Sequence, residues 1–299
     1  MEIALEKTNS ARIARAMVKA RVAAGSPAMD MVLTLLVVTD DDNVSEALKT
    51  ATTLSREHPS RVIGVILGDG RGAPQLNAKV RVGENSSGES ILLRISGELT
   101  KHAESVVLPL LLPDSPVVVW WPGKPPTHPS EDAIGQLARR RLTDAEATDS
   151  PVRSLKAVAR NYVPGDTDLS WTRLTPWRAL LAAALDQSAG KVTGGTVVAG
   201  TGNPAATLLV AWLESRLKVP ITRRSSDTEQ IHSVVLHTPE GDVLIERITA
   251  HSCHFSVPSS SPREVPLGAR TLAELLAEDL RRLDADDVYA ATIKHMLDA

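Results

Sequence analysis

Apolar and polar positions along this chain switch between a strand period and a helix period, and the order of the switches predicts an architecture. Residues 31–38 are apolar apart from Thr34, the signature of a strand covered on both faces. Ahead of it, Ile13, Met17 and Val18 recur at helical spacing, with Asn9 or Ser10 placed to cap a helix that stops at Gly25. After it, Asp40, Asp41, Asp42 and Asn43 offer caps for a helix to about residue 57, and 61–67 reads as a second buried strand. Two buried strands around a helix make a βαβ unit.

The pattern then repeats in outline. Residues 75–82 and 90–95 predict strands joined by a turn over 83–88, followed by a helix over 105–112 and a strand over 117–121. A Pro-rich loop, 122–129, leads to a predicted helix over 131–139. Thr175 and Pro176 start another helix to about 186. A strand at 192–199, a helix from Asn203 and Pro204 to 217 and a strand at 219–223 form a second βαβ unit. Strands at 232–237 and 243–248 follow; Thr271 with Glu274 forms a capping box before a helix, and a last helix begins near Asp286. The expected fold class is α/β: two α/β lobes, each a βαβ unit plus antiparallel strands, joined by a helical middle segment. The expected domains are 1–148 and 149–299, the second including the helical connector.

Composition narrows the function. With 42% hydrophobic and 23% charged residues among 299, the chain is an ordinary globular one. A net charge of −3 gives no overall basic field for nucleic acid. The basic run Arg139, Arg140, Arg141 reads as a solvated helix face. The longest apolar run, residues 31–38 with Thr34 inside it, falls far short of the roughly 20 that cross a bilayer. A single cysteine, Cys253, rules out an intramolecular disulfide and, with no export segment in view, the expected location is the cytoplasm.

Candidate chemistry concentrates in one place. Five of the eight aromatic residues, Trp120, Trp121, Tyr162, Trp171 and Trp177, lie between 120 and 177. Residues 165–178, GDTDLSWTRLTPWR, add Asp166, Asp168, Arg173 and Arg178. Trp and Arg dominate partner surfaces, and paired carboxylates or arginines also suit a small-molecule pocket. In the structural alternative, Asp166 and Asp168 cap turns and pair with Arg173 and Arg178. Trp120 and Trp121 are adjacent, so on a strand they face opposite sides, one into the core and one available as an exposed anchor. Gly200, Gly202 and Asn203 join a strand to a helix, a place where backbone N–H groups can cradle phosphate. The dinucleotide fingerprint is incomplete there, and a tight turn with Asn as cap accounts for the same residues. His251, Cys253 and His254 stand too close together for good tetrahedral metal geometry. No metal, cofactor or catalytic residue is expected.

Four stretches, SREHPSRV (55–62), VVLPLLLPDSPVVVWWPG (106–123), GDTDLSWTRLTPWRALLAAALD (165–186) and LRRLDADDVYA (280–290), together resemble the OpcA proteins, also called glucose-6-phosphate dehydrogenase assembly proteins, in their actinobacterial form. The resemblance implies a non-catalytic accessory protein whose partner is glucose-6-phosphate dehydrogenase, promoting its active oligomer or its affinity for glucose 6-phosphate. Cyanobacterial relatives are thiol-regulated, and the lone Cys253 does not supply the paired thiols such regulation needs. The alternative is a sugar-phosphate-binding enzyme or sensor using the Gly200–Asn203 turn and Arg173 with Arg178.

Overall fold

A computed structural model describes all residues except 26–30, 84–88, 189 and 259. Its first elements are β1 (Glu2–Leu5), α1 (Ser10–Ala24), β2 (Leu33–Thr39), α2 (Val44–Leu54), β3 (Ser60–Leu67), β4 (Gln75–Val82), β5 (Glu89–Ser96), α3 (Ala103–Val107), β6 (Val117–Trp121) and β7 (Arg140–Thr143). Then come α4 (Pro151–Ala159), β8 (Asp166–Asp168), α5 (Leu169–Thr172), α6 (Thr175–Asp186), β9 (Gly194–Gly200), α7 (Pro204–Leu217) and β10 (Ile221–Ser226). The chain ends with β11 (Ile231–Thr238), β12 (Gly241–Arg247), β13 (Ser252–Ser256), β14 (Arg263–Pro266), α8 (Leu272–Leu280) and α9 (Asp287–Asp298). The fold is α/β, with two sheets.

Two compact units share the chain. The first comprises Met1–Asp144, Asn161–Thr167 and Leu272–Ala285; the second comprises Ala145–Arg160, Asp168–Thr271 and Asp286–Ala299.

The first unit carries the eight-stranded sheet, ordered β1-β4-β5-β3-β2-β6-β7-β8. Strands β5, β3, β2, β6 and β7 run parallel, and β4 and β1 pair antiparallel at one end. Helix α1 packs on β4 and β1, laying Ile13, Met17 and Ala20 on one face, in one buried cluster with Leu36, Ile63, Val80, Ile91, Val119 and Trp121. Asn9 caps it by accepting from the Arg12 N–H at 3.0 Å, and Gly25 ends it in the left-handed region. Helix α2 packs on β2 and β3, and α8 packs on α2. With both faces covered, the interior strands read as continuous apolar runs.

That covering overturns one expectation: Trp120 is 0% and Trp121 3% exposed. They do face opposite sides, but β6 lies between β2 and β7, so neither ring is an exposed anchor. A second expectation also fails. Residues 131–139 do not form an α-helix but only a 3₁₀ turn, Gly135–Leu137; Asp132 Oδ1 accepts from the Ile134 and Gly135 N–H groups, folding the backbone into a tight turn ahead of it. A Cβ on Gly135 would lie 1.8 Å from the Pro129 carbonyl oxygen, so only glycine fits there. The chain then enters β7, and Arg140 and Arg141 are buried strand residues, not a solvated helix face.

The second unit carries a six-stranded sheet, β10-β9-β11-β12-β13-β14, parallel between β9 and β10 and antiparallel elsewhere. Helix α7 packs against β9, β10 and α9. Strands β9 and β10 with α7 form the expected βαβ unit, and the two strands expected next, β11 and β12, pair antiparallel as a hairpin. The predicted turn over 83–88 falls, from 84 on, outside the described residues.

Candidate functional site

The segment GDTDLSWTRLTPWR is shared between the units, and its side chains find different partners in each. In the first unit Asp166 bonds Arg141, which also donates to the carbonyls of Ala138 at 2.8 Å and Pro164 at 3.0 Å. The other Asp166 oxygen accepts from the Val163 N–H at 2.9 Å. Both side chains are more than nine-tenths buried. Next to it on β7, Arg140 points to the other face, where it bonds Asp279 of α8 at 2.6 Å and the Asp284 carbonyl at 3.0 Å. Burying a charge is costly unless it is paired and hydrogen-bonded, and adjacent strand residues supply one such pair to each face of the sheet.

In the second unit Asp168 caps α5. One carboxylate oxygen accepts from the Ser170 N–H and the other from the Ala145 N–H, both at 2.9 Å. Trp171 is 2% exposed. Its indole Nε1 donates to Asp286 Oδ2 at 2.8 Å, while Asp286 Oδ1 accepts from the Val288 and Tyr289 N–H groups and so caps α9. The Arg178 guanidinium lies 3.8 Å from the Trp171 ring centroid and the Tyr289 ring 5.7 Å away, a cation–π contact completing an aromatic cluster. Arg173 pairs with Glu146 at 2.6 Å, partly in solvent.

Trp177, also buried, sits under Arg247 with the guanidinium 5.7 Å from its centroid. Arg247 donates to the carbonyls of Leu267 at 3.1 Å, Ala250 at 3.2 Å and Ile231 at 3.3 Å. Burial lowers its pKa, opposed by the neighbouring Cys253, whose own thiol burial pushes up. The expected pairing of Asp166 with Arg173 or Arg178 is therefore corrected, and the bonds described for Asp168 go to backbone amides. Arg141 takes Asp166, Arg173 pairs with Glu146, and Arg178 stacks on the Trp171 ring.

The Gly200–Asn203 turn connects β9 to α7. Asn203 accepts from the Ala206 N–H at 2.7 Å and donates to the Glu229 carbonyl at 2.9 Å, with Pro204 opening the helix. A Cβ on Gly200 would meet the Thr228 carbonyl oxygen at 2.3 Å. Arg223 reaches across the turn to Thr207 Oγ1 at 2.6 Å and the carbonyls of Gly200 and Asn203 at 3.1 Å. Burial lowers the Arg223 pKa. The turn is thus tied down by its own cap and by an arginine.

Arg141, Glu146, Arg247, Asp286 and Tyr289 complete these clusters and were not singled out as site residues. Asp286 and Tyr289 could have been found, since both lie in LRRLDADDVYA, where the Asp precedes a helix.

Comparison with known proteins places the chain. Residues 51–160 match the family described as glucose-6-phosphate dehydrogenase subunit N-terminal domain, and residues 164–293 match its C-terminal domain. The chain belongs to the OpcA family. A curated relative, the putative OxPP cycle protein OpcA of Synechocystis sp., is 26% identical over 196 residues, 62% of this chain. The match spans 38% of that OpcA protein's length. Among solved structures, the oxidoreductase domain protein from Kribbella flavida aligns over 89% of this chain and 91% of its own at 9% identity, with a TM-score of 0.45. The oxidoreductase from Sinorhizobium meliloti covers 88% and 86% at 9% identity, with a TM-score of 0.41. Likeness at that level bears on neither fold nor chemistry. No helix among the described residues is long and apolar enough to cross a membrane.

Proposed function

We propose that this chain is a non-catalytic cytoplasmic accessory protein that binds glucose-6-phosphate dehydrogenase and favours its assembly or active state in the oxidative pentose phosphate pathway. The observation that carries this reading is the match of both halves of the chain to the two domains of one dehydrogenase-subunit family. The geometry supports it: the carboxylates of Asp166 and Asp168 and the indole of Trp171 are engaged in holding helices and strands together. The charged side chains of the segment that keep some exposure are Arg173 and Arg178, both half-buried, and these are its partner-contacting groups in this reading. To activate the enzyme, the protein must bind the active state more tightly than the inactive one.

Sedimentation of the two purified proteins together tests the reading, with a complex heavier than either expected. The second reading, sugar-phosphate binding, draws on Arg223, a guanidinium beside a helix N-terminus whose bonds go to a hydroxyl and carbonyls. Calorimetric binding of glucose 6-phosphate by the isolated protein, without complex formation, would favour it.

A further inference from the structure

Helix α1 buries Ile13, Ala16, Met17 and Ala20. The line farthest from that face, at spacings of three and four, is Ala11, Arg15, Val18 and Val22, flanked by Arg12 and Lys19. Val18 is 56% and Val22 79% exposed. A solvated helix face ordinarily mixes both signs of charge and keeps its apolar residues inward. Here the helix has no acidic residue at all, and Arg12, Arg15 and Lys19 form no ion pair among the described residues. Among the described residues no other α-helix exposes a large apolar side chain. The 3₁₀ turn Leu108–Leu110 packs on α1 and adds Leu108, 58% exposed.

We propose that this face of α1 is a docking surface for a protein that presents carboxylates around an apolar contact, and, resting on the function proposed above, that the protein is glucose-6-phosphate dehydrogenase. The pattern is that of a protein interface, with apolar side chains at its centre and charge at its rim. Three unpaired cations call for an acidic complement, which also speeds encounter. The two valines on the outermost line argue against nucleic acid, since they would face the phosphates. A bilayer surface needs a broader apolar face than two valines, and the apolar face of this helix is already spent on the sheet.

The test is the affinity of the full-length protein for the dehydrogenase at two salt concentrations, with Arg15→Glu/Lys19→Glu, Val22→Ser and, as control on α2, Lys49→Glu. The charge-reversal variant should bind at least tenfold more weakly and lose most of the salt dependence. Val22→Ser should bind several-fold more weakly with salt dependence intact, and the control should match wild type. Circular dichroism and melting temperature check folding, which these exposed positions leave intact. If wild type binds and both α1 variants bind within twofold of it, this surface is wrong while the partner reading stands. If wild type forms no complex, both fall.

Discussion

The buried arginines of the first unit are held by carboxylates, whereas two half-buried arginines of the second unit, Arg223 and Arg247, are held by carbonyls. In the first, Arg141 is held by Asp166, Arg140 by Asp279, and Arg61 by Glu89 at 3.1 Å, a carboxylate that also takes Arg21. In the second, Arg223 and Arg247 have no carboxylate partner among the described residues and bond carbonyls, with a threonine hydroxyl or a tryptophan ring beside them. Burial lowers the pKa of Arg61, Arg223 and Arg247 alike, and only at Arg61 does a carboxylate, Glu89, oppose it. Removing one member of a buried ion pair strands the other charge, whereas removing a carbonyl-bound arginine strands neutral acceptors. The first kind of site fixes strands at the cost of fragility; the second leaves positive charge in place.

The largest expected effect follows from this difference. Asp166→Ala leaves Arg141 buried and uncompensated and should cost about 3–5 kcal/mol in chemical denaturation. Replacing Arg141 and Asp166 together by apolar residues should cost much less than the sum of the single changes. Arg247→Ala should cost less than Asp166→Ala, about 1–3 kcal/mol, because the carbonyls it leaves are neutral. A cost above that of Asp166→Ala would break the comparison. Trp171→Phe keeps the ring under Arg178 and removes only the indole bond to Asp286; it should cost about 1.5–3 kcal/mol, read from the shift in denaturant midpoint. The smallest effect is Asn203→Ala at the α7 cap, about 1 kcal/mol.

What was legible in the sequence was local. Asn9 and Gly25 bound α1, Asn203 and Pro204 open α7, and Asp286 caps α9, because caps act within three or four residues of themselves. The buried arginines were illegible because their partners are distant in the chain: Asp166 lies 25 residues from Arg141 and Asp279 lies 139 from Arg140. Three arginines in a row look solvated until those carboxylates arrive. Trp120 and Trp121 were half legible. Their opposite directions follow from strand geometry, but the cover on both faces depends on the neighbours of β6. Strands β1, β8 and β14, three or four residues each, are too short to show a period.

The most direct test of the functional account is dehydrogenase activity at subsaturating glucose 6-phosphate, titrated with this protein. The account predicts a saturable rise whose midpoint equals the dissociation constant of the complex measured at the same glucose 6-phosphate concentration. A flat titration with enzyme and protein sedimenting separately would contradict it.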